Sequence, residues 1–294
     1  MYGRDPSRTG YDSDETAVNT ASAARLGPRW QADIGMGAYP PSGAPTVAGG
    51  RVFAGSSRPD GDNFFAFDAA TGRPLWSADV GHHGPSDFDV GLGATPAVSG
   101  SVVVAGGGDS AYYGLDAATG TILWRNAMDV GPSGFTWCSP LIANGRVYVS
   151  MSSEGDNPSV RGEVRVLGLA SGALLGQQYF VPEGLRGAGV WNSPSLSPDG
   201  RLLAVATGED FNGYDGPYNR AMLILDPASL AILQADKQGT DEDLDWGTTP
   251  VFFKDRRGAR SSAPTTRTAS STRTSPTRCR PARCGNGRSG WASA

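Results

Sequence analysis

The chain has 294 residues, including 42 glycines and 21 prolines, and only 18% of them are charged. That length admits one large all-β domain or two smaller ones. No apolar run is long enough to cross a bilayer as a helix. The net charge of −4 is unevenly spread. Residues 1–255 carry 16 bases against 29 acids, a balance of −13, whereas residues 256–294 carry nine arginines and no acid. An acidic body argues against nucleic-acid binding there.

The start, Met1-Tyr-Gly-Arg-Asp, is polar and has no apolar leader. We expect the true start to lie upstream. From residue 45 onward one unit repeats. A small polar pair and a proline precede an apolar run at Pro45, Pro96, Pro140, Pro194 and Pro250, spaced 51, 44, 54 and 56 residues apart. Such a period suits the blades of a propeller.

In each unit the first strand follows the proline (Pro45-Thr-Val-Ala, Pro96-Ala-Val-Ser, Pro140-Leu-Ile-Ala, Pro194-Ser-Leu-Ser). A turn at Gly49-Gly50, Gly100, Asn144-Gly145 or Asp199-Gly200 leads to a β-branched second strand, at Arg51, Val102, Arg146 and Leu202. The third strand ends in Asp68, Asp116 or Asp226. An Ala-Thr-Gly turn follows in the first two units, and the fourth strand is expected to end in Trp30, Trp76 or Trp124. Asp can cap that turn through its carboxylate, and Gly supplies a positive φ. Phe64–Trp76 and Tyr112–Trp124 are close copies, while Val164–Gly176 and Met222–Gln234 are weaker ones.

The repeat vanishes after Phe253. Residues 258–294 hold one Trp and no Val, Leu, Ile, Phe, Tyr or Met, a composition expected of a disordered segment. A shifted reading frame is the sharper explanation. With permitted codons, residues 259–273 read one register over give Ala-Leu-Val-Gly-Ala-Asp-Asn-Lys-Asp-Gly-Leu-Val-Tyr-Ala, the second and third strands of the unit begun at Pro250. Residues 282–285 likewise give a unit-ending Gly-Pro-Val-Trp. Cys279, Cys284 and the tail arginines then carry no function. Three cysteines in all do not settle the redox compartment.

The loops entering the innermost strands ring a propeller's axis. Here they read Trp137-Cys-Ser-Pro, Trp191-Asn-Ser-Pro and Trp246-Gly-Thr-Thr-Pro. The three tryptophans either stack on a flat aromatic ligand or plug the channel. Glu154, Glu209 and Asp245 fall near the same face, as oxygen ligands suited to Ca²⁺, with one carboxylate left as a general base; each also reads as a solvated loop carboxylate. His82-His83 with Asp87 and Asp89 could bind a metal, although a glycine-rich loop between units fits better. Gly106-Gly-Gly-Asp lacks the Lys-Ser/Thr of a phosphate loop, and no Gly-x-Ser-x-Gly elbow occurs.

The Asp-x-x-Thr-Gly-x-x-x-Trp element resembles the tryptophan-docking repeat of quinoprotein-type eight-bladed propellers, over roughly residues 2–253. The resemblance implies an all-β, quinoprotein-type β-propeller with about five of an expected seven or eight four-stranded blades, and so an incomplete ring. Residues 1–255 would form this partial propeller and residues 256–294 the tail. An open ring would leave little or no activity.

The acidic segments resemble those of pyrroloquinoline quinone (PQQ)-dependent alcohol dehydrogenases, most closely the polyvinyl-alcohol dehydrogenase-like branch. By that resemblance Glu154 and Glu209 are Ca²⁺ ligands, with Asp245 beside the ion as catalytic base. Trp191 stacks on the quinone, with Trp137 and Trp246 as further cofactor-binding candidates. The resemblance also implies an alcohol substrate, an electron acceptor, and a secreted, periplasmic or cell-envelope location. Departures exist: Glu209 is longer than the usual ligand, the vicinal disulfide of many relatives is absent, and no haem-binding Cys-x-x-Cys-His occurs. The competing expectation is a non-catalytic propeller scaffold of the cell envelope, which shares the repeat and lacks the cofactor site.

Overall fold

A computed structural model describes residues 1–37, 39–83, 91–128, 133–155, 159–208, 214–237, 245–254 and 266–268. Four antiparallel sheets follow one another along the chain, each a four-stranded meander. Blade I comprises β1 (Thr46–Ala48), β2 (Arg51–Gly55), β3 (Phe64–Asp68) and β4 (Pro74–Ala78). Blade II comprises β5 (Ala97–Ser99), β6 (Val102–Gly106), β7 (Ala111–Asp116) and β8 (Ile122–Ala127). A short strand β9 (Gly134–Phe135) precedes blade III, which holds β10 (Leu141–Ala143), β11 (Arg146–Ser153), β12 (Glu163–Gly168) and β13 (Leu174–Tyr179). Blade IV holds β14 (Ser195–Leu196), β15 (Leu203–Ala206), β16 (Ala221–Leu225) and β17 (Ile232–Lys237). A fifth unit starts where expected, with β18 (Phe252–Lys254), which pairs with β19 (Thr266–Thr268) inside the segment expected to be a disordered tail; the rest of that tail lies outside the described residues. Among the described residues no helix is long and apolar enough to cross a membrane.

Three apolar clusters fill the spaces between successive blades. Side chains alternate across a strand, so Val103 and Ala105 of β6 enter the cluster shared with blade I, and Val102 and Val104 enter the one shared with blade III. A strand buried on both faces needs an unbroken apolar run, and Val102-Val-Val-Ala is that run. Leu141, Val166, Leu203 and Leu223 fill the third space, between blades III and IV.

The residue before each repeating proline has a specific task. The N–H of Ala44 donates to Thr95 Oγ1 at 3.0 Å, and that of Thr95 donates to Ser139 Oγ at 3.0 Å. The N–H of Ser139 then donates to Ser193 Oγ at 3.0 Å, and that of Ser193 to Thr249 Oγ1 at 3.2 Å. A hydroxyl relay thus ties the inner edges of five successive units. Proline cannot donate a backbone hydrogen bond, so the residue before it carries the link.

The tryptophans seal the outer edges. The rings of Trp30, Trp76 and Trp124 lie so close to Gly72, Gly120 and Gly172 that a Cβ at each glycine would fall 2.6 Å from a ring atom. Each indole N–H donates to a carbonyl of the same turn, those of Ala69, Ala117 and Leu169. Each plate therefore docks on the turn of the next blade. Two expectations change here. Trp30 docks but belongs to no strand, because no neighbouring strand pairs with it among the described residues. The fourth strands also run two or three residues past Trp76 and Trp124, to Ala78 and Ala127.

The amino-terminal segment crosses the inner strands in a way its sequence did not signal. Buried Arg8 donates to the carbonyls of Pro194, Ser139, Pro140 and Tyr2, and Ser7 Oγ donates to Leu196 O. Burial lowers the Arg8 pKa to about 10, so its guanidinium stays protonated near neutral pH.

Candidate functional site

The site lies at the ends of the strands where inner strands enter and second strands leave. Strand β11 runs past its blade to Ser153, and β9 pairs with this extension, Ser152 opposite Phe135 and Ser153 opposite Gly134. The Glu154 N–H continues the contact by donating to Ser133 O at 2.8 Å. This strap brings Trp137, two residues beyond β9, against the end of β11, where its Nε1 donates to Ser153 O at 2.9 Å. The Phe135 ring supports Trp137 from 4.5 Å. Gly93 leaves room for both, since a Cβ there would meet Phe135 at 2.7 Å and Trp137 at 3.1 Å.

Trp191 enters β14 in the position that Trp137 holds before β10. Its Nε1 donates to Asp245 Oδ2 at 3.0 Å, joining the entry loops of blade IV and of the fifth unit. Asn192 Nδ2 secures the same junction by donating to Ala206 O and Trp246 O at 2.8 and 2.9 Å.

Together these segments enclose a cavity of about 280 Å³. Trp137, Trp191, Glu154 and Asp245 line it, with the hydroxyl residues Ser152, Ser153 and Ser159 and with Gly155, Gly187, Gly189 and Gly208. Glycine at 189 is needed for closeness, because a Cβ there would stand 2.5 Å from Ser152 Oγ. The Glu154 side chain is nearly buried, and His83 Nδ1 lies 3.6 Å from its Oε1; Asp245 is exposed.

Of the six residues named from the sequence, the structure brings four to one cavity. Trp246 turns away: it is half-buried, and its Nε1 donates to Arg220 O at 3.0 Å. Glu209 lies outside the described residues. Asp87 and Asp89 also do, while His82 Nε2 sits 2.8 Å from Gly61 O and 3.4 Å from Asp79. Cys138, beside Trp137, is a buried free thiol whose pKa is raised by desolvation. Sequence reasoning grouped His83 with Asp87 and Asp89 rather than with Glu154, and it missed the glycine floor, which does not belong to the repeat.

The residues present fit a flat conjugated ligand and a hard cation. Aromatic faces, a floor without side chains and carboxylate and hydroxyl oxygens are the right donor set for each. Among the described residues no group of three or more His, Cys, Asp or Glu forms a metal cage by itself. A cation here would therefore need oxygens beyond those of Glu154 and Asp245.

The fold and the repeat define a quinoprotein-type β-propeller. Residues 16–191 match the model of the PQQ_2 family, described as outer membrane protein assembly factor BamB, and the chain belongs to that family. A polyvinylalcohol dehydrogenase of Pseudomonas sp is 25% identical over 220 residues, 66% of this chain and 33% of the relative. The chain thus spans about a third of the length of the curated relative it matches. The quinohemoprotein alcohol dehydrogenase of Comamonas testosteroni superposes with a TM-score of 0.69 at 18% identity, over 91% of this chain and 44% of that one. A europium-containing methanol dehydrogenase superposes with a TM-score of 0.71 at 19% identity, over 86% and 51%. At these identities the structural likeness establishes the fold alone.

Proposed function

We propose that the cavity binds PQQ together with Ca²⁺, as part of a protein that oxidises an alcohol and passes electrons to an acceptor. The convergence of Trp137, Trp191, Glu154 and Asp245 on one cavity carries this reading. When bound, the quinone supplies a hydride acceptor and the ion polarises it. The chain's own residues have separable tasks. Trp191 and Trp137 offer aromatic faces that hold a flat ring and keep water from it. Glu154, nearly buried on its strap, supplies a fixed oxygen ligand, with Glu209 as a further one. Asp245, open to the cavity, both contributes to the ion and takes the hydroxyl proton of the alcohol on its carboxylate. The name of the polyvinylalcohol dehydrogenase relative supports an alcohol substrate, small or polymeric. A secreted or cell-envelope setting belongs to the same reading.

Titrating PQQ into the protein at millimolar Ca²⁺, followed by tryptophan fluorescence, tests it. Saturable quenching that needs Ca²⁺ is expected, falling at least about tenfold in affinity in Glu154→Gln, as for a lost charged contact. Absence of binding would overturn the proposal. It would leave the second reading, a non-catalytic propeller scaffold, which the description of the matching family favours.

A further inference from the structure

Asp245 is exposed at the start of the loop that enters the fifth unit. Two contacts from another blade reach its carboxylate. On one side the indole N–H of Trp191 donates to Oδ2 at 3.0 Å. On the other the carboxylate rests on Gly208, where a Cβ would stand 2.4 Å from Oδ1 and 3.0 Å from Cγ. Gly208 is itself immobilised just beyond β15. Its N–H donates to Gly189 O at 2.7 Å, and its carbonyl accepts from the Arg220 N–H at 2.9 Å.

Gly208 does not occupy the left-handed region of backbone space. Its backbone does not demand glycine, and the nearest atoms that a Cβ there would meet all belong to the Asp245 carboxylate. Gly247 completes the clasp: a Cβ there would approach Trp191 Cη2 to 3.1 Å, so the edge of the indole abuts the Asp245-Trp-Gly backbone.

We infer that Trp191 and Gly208 are positioning residues for Asp245, the indole N–H fixing Oδ2 and the bare α-carbon of Gly208 providing the seat. Trp191 then has two separable roles, a face for a flat ring and an edge for the carboxylate. The inference rests on the reading of Asp245 as the working carboxylate, but its test needs no quinone. The full chain, labelled with ¹⁵N at its seven tryptophans, shows each indole N–H as a separate signal. Trp191→Phe removes one signal and so identifies it.

In Asp245→Ala this signal moves upfield as its acceptor is lost, and in Gly208→Ala it moves the same way while the other six hold. Asp245→Asn leaves it close to the wild-type position, because an amide oxygen still accepts. A Trp191 signal unmoved in Asp245→Ala would overturn the role of the indole. One that moves in Asp245→Ala and stays in Gly208→Ala would overturn the seat. Should Gly208→Ala fail to fold, the two Asp245 variants still decide for Trp191, since Asp245 is exposed and its replacement leaves the core intact. Failed PQQ binding leaves these spectra unaffected, so the two readings fail separately.

Discussion

The seam between blades II and III and the seam between blades III and IV solve one packing problem in opposite ways. At the first, Trp124 is nearly buried between Gly114 of its own blade and Gly172 in the turn of the next, and its indole donates to Leu169 O at 2.9 Å. At the second, the position of the tryptophan holds Gly176, and the position of the turn glycine holds Leu230, fully buried. Leu230 Cδ1 lies 3.8 Å from where a Cβ of Gly176 would be. Val166, which pairs with Gly176, stands where Gly114 pairs with Trp124. The bulk has moved across the seam, from one blade to its neighbour.

The backbone did not follow. The Leu230 N–H donates to Asp226 O at 2.8 Å, as the Gly120 N–H does to Asp116 O, and Leu230 keeps the glycine's positive φ of 60°. A left-handed leucine costs roughly 1–2 kcal/mol. Filling the seam outweighs that strain, since an empty site of leucine size costs about 2–5 kcal/mol. What the repeat preserves is turn geometry and volume, with residue identity as one means to both.

The harshest way to break the comparison is Trp124→Ala, which empties a plate seated on both sides and orphans the Leu169 carbonyl. We expect a loss of about 3–5 kcal/mol in denaturant unfolding. A loss below about 1 kcal/mol would mean that the plate covers the seam without holding it. A gentler test sharpens the idea of transferred bulk. Gly176→Trp alone overpacks the seam, and Leu230→Gly alone empties it. Combined, they should recover part of both losses, with a coupling of about 0.5–3 kcal/mol in a double-mutant cycle. Additive effects would show that the two positions do not share one space.

The contrast also explains what could be read from the sequence. Strand starts at the repeating prolines, the turns at Asp68 and Asp116 and the docking of Trp76 all follow from local spacing, so they were legible. The exchange at Gly176 and Leu230 was not, because each looks like a degraded repeat until its partner, over fifty residues away, is placed beside it. The small polar residue before four of the five prolines was visible as a pattern, but its reason, a hydroxyl accepting from the preceding blade, is non-local. The site divides in the same way. Trp137, Trp191, Glu154 and Asp245 were nameable from their segments. The bond from Trp191 to Asp245, the seat at Gly208 and the turning away of Trp246 depend on how neighbouring loops meet.

The smallest expected effect separates the blades by their turn caps. Asp116 Oδ1 accepts from the N–H groups of Ala118 and Thr119 and from the Thr119 hydroxyl, at 2.8–3.0 Å. Asp68 and Asp226 do the same in their turns. These bonds hold all three carboxyls below the ordinary aspartate value, led by the side-chain bond from Thr71 or Thr119 and, for Asp226, by the backbone bond from Ser229. A carboxyl depressed in the folded state contributes stability fully above its unfolded pKa of about 3.9, and loses it as pH falls through the folded value. Blade III has Gly168 at this position and lacks the contribution, although a Cβ there would lie 3.1 Å from Ser171 Oγ, the hydroxyl such a cap would use. Gly168→Asp should therefore raise Tm slightly at about pH 7, and its excess over Gly168→Ala should shrink as pH falls through the folded-state value of the new carboxyl. Gly168→Ala is the control, because removing a strand glycine stabilises by itself. A gain in Gly168→Asp equal to that of Gly168→Ala at every pH would assign the effect to backbone entropy and deny the cap a share.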